Sequence, residues 1–279
     1  MPEVHENRRT WNAPSSWSAQ GDEWSGPWGG TEQMWHGTLL PRLHAFLPAD
    51  TILELGPGQG RWTQYLKEAA QRLVLVDLAE DCIAACRERF GPDGNISYHV
   101  NDGRSLDMVA DRSVDLVFSF DSLVHAEADV LEAYLGQLRA KLTPDGVGFI
   151  HHSNMGAYRR AARLARMVPG RLRRPLTMRR LLVNLYAWRA ESTTAELFAA
   201  LCERAGLVCI AQEKIRWEYG RGLPDAISLF TLPGSRWERP LVTVDNPHFM
   251  EEAARLAEIG RLYGVASFPE KARPVNSST

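Results

Sequence analysis

Residues 52–60 read Ile-Leu-Glu-Leu-Gly-Pro-Gly-Gln-Gly, an apolar run that ends in three alternate glycines. The pattern predicts a β-strand over 51–55, a sharp turn, and a helix over 61–70. Because glycine has no side chain, such a turn lets the backbone pass close beneath a ligand. The spacing is G-x-G-x-G, one residue shorter than the G-x-G-x-x-G fingerprint that binds a pyrophosphate. Glu54 stands two residues before the first glycine, where a carboxylate would repel a pyrophosphate and attract a cation.

Polar residues, most of them acidic, close each of the predicted strands that follow. Apolar runs at 72–76, 96–100, 114–120 and 147–150 end at Asp77, Asn101-Asp102-Gly103, Asp121 and His151-His152. Because ligands of a doubly wound sheet lie at the carboxyl ends of its strands, these residues are expected to meet at one site. Asp77 follows Gly56 at the ~20-residue distance at which an acid accepts the ribose hydroxyls of a nucleoside, and Asp102 is placed to accept from an adenine amino group. Taken singly, each acid could instead be a helix N-cap or a turn residue.

Together these motifs resemble those of class I S-adenosylmethionine-dependent methyltransferases, over about residues 45–232. The Leu-Thr-Pro-Asp-Gly turn at 142–146, before the fifth predicted strand, adds to the resemblance. S-adenosylmethionine carries a positive sulfonium and no phosphate, which agrees with the carboxylate before the glycines. The resemblance implies a Rossmann-like α/β fold with a seven-stranded, mostly parallel sheet and helices on both faces. It implies that the cofactor is bound by Glu54, Gly56, Gly58, Gly60, Asp77, Asp102 and Gly103, with Trp28 from the N-terminal segment.

Composition indicates one core with extensions. The chain has 279 residues, is 44% hydrophobic and carries a net charge of −2, so no global electrostatic attraction to nucleic acid is expected. We expect an N-terminal segment over 1–47, a cofactor-binding domain over 48–232 and a C-terminal extension over 233–279. A helical pattern over 249–263 is expected to pack on the domain or across a homodimer. Without a signal peptide or an apolar run near ~18 residues, a cytoplasmic protein without a membrane span is expected.

The N-terminal segment is rich in tryptophan. It holds five of the nine tryptophans of the chain, interleaved with glycine: Trp11, Trp17, Trp24, Trp28 and Trp35. A disordered tail is poor in aromatic residues, so the segment is expected to fold over the sheet. Two interpretations remain open: the indoles fill the core, or the segment is a lid whose flat aromatic faces meet the cofactor and a sugar acceptor.

An arginine-rich insertion follows the fifth predicted strand. No acidic residue occurs between Asp145 and Glu191, while ten arginines do. The insertion, 155–190, is predicted to be helical and lies where methyltransferases commonly build the acceptor site. It is expected to bind an anionic acceptor, to pair with acids of a partner subunit, or to be a solvated helical face.

The predicted reaction is methyl transfer by in-line displacement, in which the protein aligns the acceptor and removes its proton. His151, His152 and Asp121 are the candidate catalytic residues, since histidine has the pKa best suited to a base near neutral pH. Metal-dependent members of the class place ligands at these two strand ends, so the resemblance also implies a Mg²⁺ ion held by Asp121 and His152, with Asn154. This sequence has His152 at a position where such enzymes usually have an aspartate. A reaction without a metal, in which a histidine is the base, is therefore the alternative. Adjacent strand residues face opposite sides, so the two histidines act alike only if the strand has ended; His125 is a lesser candidate.

The choice of acceptor rests on a finer resemblance. The tryptophan-rich opening, Gly-Arg-Trp-Thr at 60–63, Phe-Asp-Ser-Leu-Val-His at 120–125 and His-His-Ser-Asn at 151–154 are similar to bacterial sugar and polysaccharide O-methyltransferases. The nearest likeness is to mycobacterial enzymes that methylate O1 of a 3-O-methylated mannoside in methylmannose polysaccharide biosynthesis. The expected partner is therefore a small sugar or oligosaccharide, and no nucleic acid. Two alternatives stay open: an N- or O-methyltransferase of an antibiotic or other small metabolite, and a non-catalytic binding domain.

Overall fold

The computed structural model describes residues 3–92, 94–185, 188–217 and 219–263, and in these residues eight strands form one sheet. The sheet order is β3-β2-β1-β4-β5-β7-β6-β8, and β7 runs antiparallel to both of its neighbours while the other pairs are parallel. The strands are β1 Ala49–Leu55, β2 Ala70–Asp77, β3 Ile96–Val100, β4 Val114–Ser119, β5 Leu142–Ser153, β6 Val208–Ile215, β7 Asp225–Thr231 and β8 Val242–Asn246.

The prediction of seven strands misses β8. This strand pairs in parallel with β6, from Ala211 opposite Val242 to Ile215 opposite Asn246. Four of its five residues are exposed, among them Val242 and Val244. Val242, Thr243, Val244 and Asp245 alternate apolar and polar residues over only four positions, the shortest length at which this pattern indicates a strand. The mostly parallel order with one reversed strand is confirmed.

Helices lie on both faces of the sheet. The longer helices are α1 Val4–Trp11, α5 Glu80–Phe90, α6 Ala128–Lys141, α7 Arg159–Met167, α8 Gly170–Met178, α9 Ala195–Arg204 and α10 Phe249–Tyr263; the short ones are α2 Thr31–Met34, α3 Leu40–Leu43 and α4 Thr63–Leu66. The helix predicted over 61–70 is shorter in the structure, where only α4 is helical. It ends early because β2 begins at Ala70, which pairs with Ala49. None of the described helices is both long and apolar enough to cross a membrane.

Two apolar clusters fix the layers. On one face, α6 and α9 bury Leu131, Leu135 and Phe198 against the sheet. On the other face, the N-terminal segment, α5 and α10 contribute the second cluster, including Trp28 and Phe249. The helix α10 packs on the N-terminal segment of its own chain, and a homodimer stays a prediction. The carboxyl ends of the parallel strands remain open between these layers.

Candidate active site

A cavity of about 790 Å³, part of it open to solvent, lies at the carboxyl ends of β1, β2 and β4. The wall combines the glycine turn with strand-end residues and the N-terminal segment. The residues that line the cavity include Gly56, Gly58, Asp77, Gly103, Asp121 and His125, together with the indoles of Trp11, Trp17 and Trp24.

The glycine turn has a backbone that only glycine tolerates. Gly56, Gly58 and Gly60 have φ values of 70°, 56° and 89°, in the left-handed region. A Cβ atom on Gly56 would collide with the Ser122 hydroxyl, and one on Gly58 would lie 2.5 Å from the Trp17 ring. The first two glycines therefore keep the floor of the cavity clear of side chains.

Asp77 ends β2 and ties the glycine turn to it. Its Oδ2 accepts the Gly58 N–H at 3.1 Å, and its Oδ1 accepts the Ala79 N–H at 2.9 Å. Burial raises the pKa of this carboxyl to about 6, although backbone hydrogen bonds oppose the rise. A carboxylate has about four acceptor sites, so Asp77 keeps lone pairs for ribose hydroxyls.

Glu54 lies behind the glycine turn, with 1% of its surface exposed. Its Oε2 accepts the Thr63 hydroxyl at 2.7 Å, while Oε1 is buried without a hydrogen-bond partner among the described residues. Burial, followed by the charge of Asp77, raises the pKa of Glu54 to about 8. Glu54 does not line the cavity, so the carboxyl expected to attract a cation lies behind the glycine turn and is protonated near neutral pH.

The structure does not bring the predicted adenine contact of Asp102 into the cavity. Its carboxylate accepts the backbone N–H groups of Arg104 and Ser105, which lower its pKa, and the residue is exposed. This is the local turn that aspartate often forms. Gly103 lines the cavity instead, and the neighbouring Asn101 is buried, donating to Tyr134 Oη at 3.0 Å.

The N-terminal tryptophans divide into two groups. Trp11, Trp17 and Trp24 line the cavity, with ring centroids 5.1–5.7 Å apart. Trp28 and Trp35 belong to the core. Trp28 is fully buried, donates from Nε1 to Thr38, and so does not reach the cavity where it was predicted to contact the cofactor. The core interpretation therefore holds for Trp28 and Trp35, whereas contact of the other three indoles with a cofactor and a sugar stays a prediction.

A buried ion network surrounds Asp121. Arg61 donates to its Oδ2 at 2.9 Å, and Arg189 lies 3.6 Å from Oδ1 while also pairing with the fully buried Asp225. Burial alone would raise the pKa of Asp121, but the charges of Arg61, Arg189 and His151 outweigh it and the pKa falls below its ordinary value. The Asp121 N–H donates to His151 Nδ1 at 3.1 Å, so His151 fixes a backbone that has a φ of 61°.

His151 and His152 face opposite sides of β5, since that strand continues to Ser153. His151 lies between Phe120 and Trp217, and His152 stacks on Phe198 at 4.2 Å in the other layer. Both ring nitrogens of His152 are engaged, by the Ser153 carbonyl and the Ser228 hydroxyl, and burial lowers its pKa to about 4.

The predicted metal ligands are therefore not brought together. The Asp121 carboxylate meets two arginines, and His152 lies on the far side of the sheet. Asn154 is buried and donates to the Leu223 carbonyl. In the described part of the chain, no three His, Cys, Asp or Glu side chains cluster as a metal site would require. The residues do not fit the implied Mg²⁺.

His125, the lesser candidate, is the histidine that lines the cavity. Its ring lies between Trp11 and Trp188, at 5.3 and 5.0 Å. Nδ1 is 2.6 Å from the Trp188 carbonyl oxygen, which can only accept, so Nδ1 carries the proton and Nε2 keeps its lone pair. Burial, reinforced by the charge of Arg189, lowers the pKa of His125 to about 4. In the sequence, the only signal for His125 as a site residue is its position one turn beyond Asp121.

Comparison with known proteins identifies this part of the chain. Residues 52–146 match the family model described as a methyltransferase domain. Over these residues the chain is similar to methyltransferases. Phosphoethanolamine N-methyltransferase 1 of Triticum aestivum is 33% identical over 118 residues, 40% of this chain and 24% of that protein. Ribosomal RNA small subunit methyltransferase A of Synechococcus elongatus is 41% identical over 63 residues, 23% of each. The chain thus spans about a quarter of these relatives.

Solved structures share the fold of the methyltransferase domain. A Leishmania major S-adenosylmethionine-dependent methyltransferase aligns with a TM-score of 0.54 at 11% identity, covering 82% of both chains. The PH0226 protein of Pyrococcus horikoshii aligns with a TM-score of 0.51 at 21% identity, covering 72% of this chain and 88% of its own. At such identities the similarity concerns the fold alone.

Proposed function

We propose that this chain transfers a methyl group from S-adenosylmethionine to a hydroxyl of a sugar or short oligosaccharide. The observation that carries the proposal is one cavity in which a glycine turn and a strand-end acid face three indoles. The glycine turn and Asp77 suit a nucleoside, and the three indoles suit the apolar face of a sugar ring. The 1-O position of a 3-O-methylated mannoside is the specific acceptor that the sequence resemblance suggests.

The residues present fit the cofactor. Gly56, Gly58 and Gly103 would border the nucleoside, and Asp77 would accept its ribose hydroxyls, since all four line the cavity. Glu54 lies behind the glycine turn and outside this wall. S-adenosylmethionine supplies a methyl group on a sulfonium, already activated for in-line displacement. The protein then has to exclude water, align the acceptor and remove its proton.

We assign the proton acceptor to His125. Its Nε2 lone pair is available in the cavity wall, and the Nδ1 contact with the Trp188 carbonyl holds the ring in that tautomer. As the acceptor oxygen attacks, its proton passes to Nε2. The charges of Asp121 and Asp225 oppose only in part the burial and the Arg189 charge that lower the pKa of His125 to about 4. Asp121 and His151 serve as positioning residues in this scheme, because Asp121 pairs with arginines and His151 with its backbone. His152 has no part in it.

Cofactor binding tests the first half of the proposal. Calorimetry with S-adenosylmethionine is expected to show binding that Asp77→Ala weakens at least about tenfold, because hydrogen bonds to a charged group contribute about 1.5–3 kcal/mol each. Asp81→Ala is the matched control, since Asp81 is an exposed acid on the following helix. Absence of binding by the wild-type chain, or equal loss in both variants, would reject the cofactor site.

Methyl transfer tests the second half. Labelled methyl transfer to a panel of mannosides, 3-O-methylated mannosides and nucleotide sugars is expected to label a sugar. His125→Gln should lower kcat about 10²–10⁴-fold, the usual contribution of a general base, with cofactor affinity unchanged. Activity that survives in His125→Gln but falls in His151→Gln would reject the assignment of the base.

A small amine metabolite is the second candidate acceptor. The wheat relative that matches 40% of this chain is named as a phosphoethanolamine N-methyltransferase. Three indoles around one space also suit a cationic ammonium group, which binds over aromatic faces. Adding ethanolamine and phosphoethanolamine to the panel separates the two, because transfer to nitrogen with no labelled sugar would favour this candidate.

A further inference from the structure

The helices α7 and α8 and the residues that follow form a surface that methyl transfer leaves unused. We call residues 159–181 the basic face. Between Asp145 and Glu191 the sequence has ten arginines and no acid. None of these arginines except Arg189 is part of the ion network around Asp121. The basic face is joined into one unit by Arg173, which donates to the carbonyls of Ala165, Arg166 and Val168.

Most of the arginines on the basic face lack an opposite charge. Arg166 pairs with Glu191 and Arg180 with Glu251. Within the described part of the chain, six others are exposed and have no ion pair: Arg159, Arg160, Arg163, Arg171, Arg174 and Arg179. The face therefore carries a concentrated positive charge on a chain whose net charge is −2.

The same surface exposes large apolar side chains. Leu164 is 64% exposed and Met167 80%, and Leu172, Met178 and Leu181 are also exposed. In α7 the buried side is already filled by alanines, because Ala162 and Ala165 pack on Met155 and Val183. Leu164 and Met167 therefore lie among arginines on the outward side of the helix, where a solvated face would carry polar residues instead.

We propose that the basic face binds the surface of a membrane that contains anionic lipids. Interfacial helices combine arginine or lysine with leucine and methionine, since the cation meets the headgroup while the apolar chain enters the acyl boundary. A nucleic acid or other polyanion would use the arginines but leave Leu164 and Met167 in water. A second copy placed symmetrically on this face would bring like charges together. The inference is independent of the proposed methyl transfer.

Vesicle co-sedimentation of the full chain tests the proposal. We expect binding to vesicles that contain phosphatidylglycerol, little binding to phosphatidylcholine alone, and weakening with added salt. Arg160→Gln with Arg163→Gln should lower affinity about fivefold per arginine. Leu164→Ser with Met167→Ser should lower it about tenfold, because burial of these side chains is lost. Arg239→Gln with Arg255→Gln and Ile259→Ser with Leu262→Ser, all exposed elsewhere, are the matched controls and should bind as wild type.

Several outcomes would overturn the proposal. One is absence of vesicle binding, or equal loss in the control variants, with thermal unfolding showing that all variants fold. Another is binding that depends on the arginines but not on Leu164 and Met167, with equal binding to heparin, which would indicate a polyanion site. A third is a concentration-dependent dimer that the Leu164/Met167 variant abolishes, which would make the face an interface between copies of this chain.

Discussion

Glu54 shows how one buried side chain can make the stability of the fold depend on pH. Burial raises its pKa from 4.5 to about 8. The unfolded chain loses this proton near its ordinary pKa and the folded chain near 8, so the associated stability is present at low pH and lost as pH rises through 8. We expect Glu54→Gln to stabilise the protein increasingly from about pH 5 to 8, on the order of 3 kcal/mol at the upper end. Thermal unfolding across this range measures it.

The comparison with wild type isolates Glu54. The buried His125 and His152 have pKa values of about 4 and destabilise the fold as pH falls below their ordinary range, but they are common to both proteins. Glu68→Gln, a change at an exposed acid of the same region, should shift stability little and without a trend in pH. If the difference in stability between Glu54→Gln and wild type did not change with pH, Glu54 would not be a buried, protonated carboxyl.

At the residue scale, the sequence predicts what depends on the backbone better than what depends on side-chain direction. Gly56, Gly58 and Asp77 lie at the cavity because turn geometry and strand order place them there. The side chain of Asp102 turns back onto its own loop instead, as short acids do when backbone N–H groups are within reach. His125 gives the reverse case, since a lone histidine in a loop carries no periodic signal.

At the scale of elements, α1 crosses the carboxyl ends of β2 and β3. Arg8 donates to the carbonyls of Leu78 and Asn101, and Val4 would meet a Cβ on Gly103 at 2.9 Å. A helix in this place closes the side of the cavity that we propose to bind the nucleoside. We expect Arg8→Ala to weaken binding of S-adenosylmethionine about tenfold, as the loss of charge-assisted hydrogen bonds implies, measured by calorimetry.

Arg9→Ala is the control for this helix, because Arg9 is the exposed neighbour on the same turn. It should bind the cofactor as wild type does. Equal affinities for Arg8→Ala and Arg9→Ala, with both proteins folded, would mean that α1 covers the strands without contributing to the site.

Elements with a buried face were predictable, and those without one were not. The alternation of His151 and His152 across β5 follows from strand geometry and holds in the structure. The exposed edge strand β8 alternates apolar and polar residues over only four positions, a pattern too short to separate it from a loop. The helix over 61–70 had the right composition, but pairing of Ala70 with Ala49 ended it early, a tertiary effect that local propensity does not contain.

At the scale of the whole molecule, the N-terminal segment and α10 meet over one face of the sheet. Phe249, at the start of α10, is fully buried against Trp28 of the N-terminal segment and Trp217 after β6. Trp217 in turn contacts His151, whose Nδ1 accepts the Asp121 N–H. A chain of direct contacts thus joins the C-terminal helix to the wall of the cavity, through residues distant in sequence that no local pattern relates.

This arrangement predicts that a substitution far from the cavity affects both stability and the site. Phe249→Ala should lower the free energy of unfolding by about 3–5 kcal/mol, the usual cost of truncating a buried phenylalanine. It should also reduce methyl transfer beyond any loss of folded protein, since Trp217 no longer holds His151 and Asp121 in place. Denaturant unfolding and kcat/KM on the folded fraction measure the two effects. Tyr263→Ala, at the exposed end of α10, should change neither, and a stability loss in Phe249→Ala with unchanged kcat/KM would show that the contacts end at the core.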